Sequence, residues 1–439
     1  MAERNKTSDR GGRRHPIARW YRLDNAAKIY PVIMRSRHIS VFRLSAVLHQ
    51  EIEPDRLLAA LRNTLKRLPF FAVRLRKGMF WYYLESCQLP VTVEEDVINP
   101  MRHWSVRDEK GYLFRVRYGQ KRIAVEFFHA LTDGYGGLVF LKTLTAAYLS
   151  LGGSQYRPGH GVLDLNADAQ PEEMEDAYRR YSDFRVTRRP AETAAFHLQG
   201  TILTGHQLSM ITGICSAGQV AEVAKRHQVS ITELLTSVYL YQLYRIQQRG
   251  GFQIDRPVRI SVPINVRRYF PTRTLRNFAL YANPGIEPAL GDYSFEEILL
   301  LVHYFMRYTI NQKYLNAMMG ANVRPEKNWL LRLAPLKLKT LAMRIVYALV
   351  GESRFTGTLS NLGAQTMPEE ISGQIDHFEF QLGPSRLNPV NCAVISLNDN
   401  LTIAFTSTMQ ETDIQRAFFQ HLVELGLDVT VMSNQIERK

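Results

Sequence analysis

Residues 122–151, RIAVEFFHALTDGYGGLVFLKTLTAAYLSL, constrain the fold more than any other stretch of this chain. An apolar run rich in β-formers ends at His129, and three glycines fall within the four positions 134–137. Leu138, Leu141, Leu144 and Tyr148 then recur at helical spacing. The pattern predicts a strand, a tight turn and a helix in direct succession. A unit of this kind has to be sandwiched between other strands and helices to bury both of its apolar parts.

The flanking sequence supplies them. HISVFRLSAVL (38–48) alternates, with Phe42, Leu44, Ala46 and Leu48 on one face, and reads as a half-buried strand. In 51–69 Pro54 suits a first helical turn, and Leu57, Leu58, Leu61, Leu65 and Leu68 form one apolar stripe. Paired strand-like runs surround Gly78 and Gly119. Further on, Ser230 and Glu233 form a capping box ahead of a helix, 258–270 reads as strand then loop, and 354–363 and 392–407 read as strands. The fold class is therefore α+β, mixed sheets with helices.

At 439 residues the chain exceeds one ordinary core, since domains commonly hold about 100–200 residues. The expected division is a basic disordered tail over 1–16, a first domain over 17–160, a solvent-exposed connector over 161–194 and a second domain over 195–439. Hydrophobic content of 45% and charged content of 22% fit a soluble globular protein. Cys87, Cys215 and Cys392 are widely spaced with no CxxC, which points to a reducing, cytoplasmic setting. The N-terminus lacks the apolar stretch of a secretory signal. A net charge of +14 calls for an anionic partner, yet the cations are scattered and accompany no nucleic-acid-binding motif, so none is expected to bind. Segment 329–351 is apolar and basic but interrupted by Arg332, Pro335, Lys337, Lys339 and Arg344. It is read as packed domain structure with solvated lysines, peripheral membrane contact being the alternative.

Three roles are open to His129. It can be a structural histidine tied to a carbonyl at a strand end. It can precede a dinucleotide-binding turn, but GxGxxG would need glycine where Val139 stands. Or it can be a general base, with Asp133 folded under the turn and Gly134 supplying a backbone shape that other residues resist. HGVLDL repeats the spacing at His160 and Asp164, but Leu165 replaces the glycine.

His129, Asp133 and Gly134 make HxxxDG at a strand end, which resembles the active-site signature of the CoA-dependent acyltransferase superfamily. The strand–helix–RLPFFAVRL opening, SVPINVRRYFP…LRNF at 261–278 and GTLSNLG at 357–363 resemble further segments of that superfamily, in the order its two-domain members use. Alcohol-acetyltransferase-like and condensation-domain-like proteins look nearest. The resemblance implies two chloramphenicol-acetyltransferase-like domains forming a pseudo-dimer, with the site in a tunnel at their interface. It implies acyl transfer from acyl-CoA, acetyl-CoA first, to an alcohol or amine without an acyl-enzyme. His129 would be the base and Asp133 would pair with an arginine, for which Arg267 is the candidate and an ordinary surface arginine the other reading.

Thr356, Thr358 and Ser360 alternate on one face of their strand, with Asn361 following, and are the candidate oxyanion or substrate contacts. A hydroxyl-lined sheet face without function is the competing reading. The paired histidines of condensation domains are not present, since Phe128 takes the first place, and the DFGWG element of the BAHD branch is missing. An acyl carrier protein as donor and a non-catalytic member of the fold remain the alternatives. No tightly bound cofactor or metal is expected, there being no HExxH, Walker A or zinc-ligand cluster.

Overall fold

The computed structural model describes residues 20–34, 39–101, 111–183, 192–205, 207–329, 333–347 and 351–434. The basic tail expected over 1–16 lies outside the described residues.

One five-stranded sheet has the order β13 (Ile375–Leu382), β2 (Val41–Leu48), β7 (Arg122–Phe128), β6 (Phe114–Tyr118), β5 (Val93–Glu95). The helices Pro54–Arg67 and Gly134–Leu151 pack together against it. Phe42, Leu44, Ala46 and Leu48 join their core, as the alternation predicts. The half-buried reading of this strand needs correcting, because Arg43 and Ser45 on the opposite face are buried too. β2 lies between two neighbours, and its polar face is closed by ion pairs. The Arg43 guanidinium reaches both carboxylate oxygens of Asp96, at 2.9 and 2.5 Å, and lies 3.5 Å from the fully buried Glu126. Such a charge layer survives burial only because each member faces an opposite charge.

A second sheet runs β10 (Ala279–Ala282), β9 (Val258–Asn265), β12 (Gly357–Gln365), β14 (Val390–Leu397), β15 (Asn400–Ser407), β8 (Ser209–Ser216), β16 (Thr430–Ser433), with β11 (Gly285–Ile286) on β9. β12 is parallel to both β9 and β14, whereas the other pairs of this sheet are antiparallel. Its apolar face and the helices Ile231–Gly250, Phe295–Thr309 and Asp413–Glu424 form a separate core. The Ser230–Glu233 capping box forms as read. A small sheet, β1 (Trp20–Arg22), β4 (Tyr82–Ser86), β3 (Val73–Lys77), completes the strands among the described residues.

β13 follows β12 in the chain yet pairs with β2, and it also packs on β14 and β15. The two cores are thereby stitched together. The stretch read as a solvent-exposed connector is partly interior. Tyr178 is buried and donates to the Ala279 carbonyl, while Glu173 makes a two-pronged buried ion pair with Arg67 at 2.6 and 2.8 Å. The aromatic and small residues of AYRRY have an apolar surface to sit on, formed by Phe270, Phe278 and Leu315.

The helix Gly134–Leu151 is buried on nearly every side, and that burial includes Lys142. Loss of water pushes its amine down to about 8 from an ordinary 10.5. Between those values the unfolded chain holds a proton that the folded chain does not, so stability rises with pH through this window and the cost is fully present below it. Lys142→Met is expected to raise the melting temperature at pH 7, by at most about 3 kcal/mol of stability. The gain should shrink toward pH 10.5. A pH-independent gain would mean that packing, and not the charge, is responsible.

Candidate active site

Strand β7 carries its ladder one residue further at His129, whose N–H donates to the Ser40 carbonyl at 2.9 Å. Phe127 and Phe128 are fully buried, and anchors of that size contribute about 1.5–3 kcal/mol each, so the strand end is fixed. His129 as a residue keeps partial exposure. Tyr30 stacks on it, with ring centres 4.5 Å apart and planes 12° from parallel, and Phe42 meets it edge-on at 5.1 Å.

Nδ1 of His129 lies 3.0 Å from Oδ1 of Asn277. The amide nitrogen of Asn277 donates to Asp24 at 3.3 Å, which orients the side chain and leaves Oδ1 toward the histidine. A carbonyl oxygen only accepts, so Nδ1 carries the proton and Nε2 of the neutral ring holds the lone pair. Asp24 is itself buried, accepts from the Ala27 N–H at 2.7 Å and lies 3.6 Å from the Arg276 guanidinium. Burial pushes the His129 pKa below its ordinary 6.5, opposed in part by hydrogen bonds to backbone and Asn277 and by the Asp133 charge. The ring is therefore unprotonated at neutral pH.

Asp133 is the N-cap of the helix Gly134–Leu151. Its Oδ1 accepts from the Gly136 N–H at 3.1 Å and its Oδ2 from the Phe278 N–H at 2.8 Å. Arg267 is buried beside it and donates to both oxygens, at 2.8 and 3.3 Å. The same guanidinium donates to the carbonyls of Thr274, Arg276 and Phe278. Thr132 adds a bond from its hydroxyl to the Leu275 carbonyl at 2.6 Å. The turn after His129 is thus stapled to loop 274–278, and that loop delivers Asn277.

The expected reason for Gly134 needs correcting. It does not take a positive φ. A Cβ there would instead meet the tip of Leu362 at 2.8 Å, a contact a flexible side chain can relieve. The stricter position is Gly136, where a Cβ would fall 2.1 Å from the Leu275 carbonyl and 2.2 Å from the Thr132 hydroxyl. Gly136 is what allows loop 274–278 to lie against the helix start.

The contact between Gly134 and Leu362 brings β12 up to the motif. Alternation puts Thr358 and Ser360 on the Leu362 face of that strand. Thr356 belongs to that series but is fully buried, and its hydroxyl accepts from the Arg259 N–H at 3.3 Å. Asn361 points the other way, donating to Thr232 at 3.0 Å and accepting from the Gly363 N–H at 2.7 Å. Both are occupied in structure, which leaves Thr358 and Ser360 as the candidates from this strand. His160 sits exposed in a loop, bonded to Thr366 at 3.0 Å. Asn277, Asp24, Tyr30 and Gly136 were not singled out by the sequence reading. Of these, Gly136 and Asn277 lay within quoted segments, and nothing local marks Asn277 as the partner of His129. Among the described residues no cluster of histidine, cysteine and carboxylate side chains suits a metal ion.

No protein-family model matches the sequence, and no curated protein aligns with it significantly. Solved structures do resemble it over nearly its whole length. F. graminearum TRI101 complexed with coenzyme A and deoxynivalenol is similar with a TM-score of 0.60 and 10% identity, over 94% of this chain and 100% of that one. Polyketide synthase associated protein 5 from Mycobacterium tuberculosis gives 0.59 and 14%, over 92% and 97%. The wax ester synthase/diacylglycerol acyltransferase from Marinobacter aquaeolei VT8 gives 0.54 and 13%, over 92% and 98%. Condensation and epimerization domains are also among the matches. With its mixed sheets, flanking helices and coverage of whole chains, this protein has the chloramphenicol-acetyltransferase-like fold of the CoA-dependent acyltransferases and condensation domains.

Proposed function

We propose that this protein transfers an acyl group from a CoA thioester to an alcohol or amine, in the manner of an alcohol acetyltransferase, with His129 as general base. The observation that carries the reading is the division of labour on the imidazole. Nδ1 is committed to Asn277, and Nε2 is left as an unprotonated acceptor on a partly exposed residue. Nε2 takes the proton of the acceptor hydroxyl as its oxygen attacks the thioester carbonyl. Collapse of the tetrahedral intermediate breaks the C–S bond, and the imidazolium returns the proton to the departing thiolate. No acyl-enzyme forms. Thr358 and Ser360 are the candidate donors to the oxyanion. Asp133 and Arg267 hold architecture and do not touch substrate.

The test is thiol release from acetyl-CoA in the presence of alcohols and amines, preceded by melting with and without CoA. Ligand at a hundredfold excess over Kd stabilises the native state by about 2.7 kcal/mol. A shift with CoA and release dependent on acceptor would support the reading. Neither effect with CoA, but transfer from an acyl carrier protein, would move the donor assignment to the carrier. The pH profile adds a second check. A base must be unprotonated to act, so the acid limb of kcat/KM should fall below the ordinary histidine value of 6.5. An acid limb above 6.5 would contradict a desolvated, neutral His129.

A further inference from the structure

The helix Leu336–Val346 is packed with Leu336 and Lys339 inward and with Lys337, Leu338 and Leu341 outward. Lys339 is buried, lies 3.8 Å from the Trp81 ring centre and donates to the Phe80 carbonyl at 3.1 Å. Arg344 donates to the Val32 carbonyl at 2.8 Å, and the Leu336 N–H donates to the Met79 carbonyl at 3.0 Å. Leu338 and Leu341 are 60% and 59% exposed, with Ile345 and Val346 exposed beside them. Trp329, Leu333 and Met79, the last 75% exposed, extend the same apolar surface. The expectation of a packed helix with solvated lysines holds for Lys337 and fails for Lys339, beside which Leu338 and Leu341 face outward instead. Scattered exposed apolar residues need no explanation, but a row at 338, 341 and 345 on one helix does.

The charges say what covers this face. Between Glu326 and Glu352 the sequence has no acidic residue, whereas Lys327, Arg332, Lys337, Lys339 and Arg344 fall there. A second copy of the chain, paired about a two-fold axis, would set these cations against their own counterparts with no carboxylate in the segment to neutralise them. The chain's own N-terminal 19 residues carry Arg4, Lys6, Arg10, Arg13, Arg14 and Arg19 against Glu3 and Asp9, so they would be repelled as well. An anionic lipid surface satisfies both requirements, since its acyl region takes the leucines and its headgroups take the exposed Lys337 and the half-buried Arg344.

We infer that the face built by the helix Leu336–Val346, Trp329 and Met79 docks on an anionic phospholipid bilayer. The helix lies in the interface and does not cross it. No described helix is long and apolar enough to span a membrane. The face borders two features of the fold. A cavity of about 690 Å³, with Trp20, Met79, Phe80 and Trp81 in its wall next to charged residues that include Lys28 and Glu326, opens beside it. On its other flank the segment Tyr30–Ile33 connects the helix to the ring that stacks on His129. A lipophilic molecule leaving the bilayer here would meet a cavity with aromatic walls and a charged margin.

The experiment is co-sedimentation of the full chain with large unilamellar vesicles of phosphatidylcholine and phosphatidylglycerol in equal parts, against pure phosphatidylcholine. The chain should partition onto the anionic vesicles, and less so as salt is added. The double variant Leu341→Glu, Ile345→Glu should weaken that binding by about tenfold or more, because each charge would have to enter the interface. Its melting temperature should match the wild type, since both side chains are exposed. The inference is overturned if the double variant binds as well as the wild type, which would assign binding to cations elsewhere. It is overturned equally if the wild type ignores anionic vesicles, or if light scattering finds a dimer that the double variant dissociates. None of these readouts depends on acyl transfer, so they stand apart from the test of catalysis.

Discussion

Replacing His129 by alanine is expected to lower turnover by roughly 10²–10⁴, the range general-base catalysis commonly supplies. Folding should survive, because the residue is partly exposed, its ring packs on Tyr30 and Phe42, and the side-chain hydrogen bond lost is the one to Asn277. The variant should therefore melt near the wild type and still shift its melting temperature with CoA. Asn277→Ala offers the companion measurement. It leaves the base in place but frees its tautomer and orientation, so the rate loss should be smaller and the acid limb should move. His129→Ala retaining a rate within a few-fold of wild type would remove the histidine from the chemistry and leave a non-catalytic reading of the fold.

Arg267→Ala should be the most damaging single change to stability. Deleting one partner of a buried ion pair leaves the other charge uncompensated, at about 3–5 kcal/mol. Here Asp133 would lose two bonds, and the Thr274, Arg276 and Phe278 carbonyls would each lose a donor. Arg267→Lys should recover little, since an ammonium cannot reach along a fork to six acceptors, Asn265 Oδ1 among them, at once. Because loop 274–278 also positions Asn277, activity should fall further than the fraction unfolded accounts for. Denaturant melts of the two variants, with single-turnover rates measured well below the transition, separate these effects. A loss under about 1 kcal/mol for Arg267→Ala would mean that the pair is solvated and not the staple described above.

What could be read ahead of the structure divides by distance along the chain. The strand, turn and helix around His129 follow from periodicity over consecutive residues, and Asp133 is close enough to its helix to be recognised as a cap. Arg267 was reachable only through the resemblance, being 134 positions from Asp133. Asn277 and Asp24 lie 253 residues apart and meet at the histidine because β7, β1 and loop 274–278 converge there. No local pattern encodes such a meeting. The strand β12 shows the opposite limit. Alternation sorted Thr356, Thr358 and Ser360 onto one face, but it could not say that Thr356 would be taken up by β9 or Asn361 by Thr232. Burial of Arg43 on the second face of β2 escaped for a related reason, since an arginine in a strand reads as solvent-facing until its carboxylate partners are known.

The pairing of β13 with β2 bears on how the protein is made. During synthesis β2 and β7 emerge early, but the edge of β2 has no neighbour until Ile375–Leu382 leaves the ribosome. At about 5–20 residues per second, the wait after Phe128 lasts roughly ten to fifty seconds. A nascent sheet with an open edge and a buried charge layer on one face is exposed to mispairing throughout that interval. The first half of the chain therefore cannot reach its final form as an isolated product, and truncation before residue 382 should yield a protein that depends on chaperones to stay in solution.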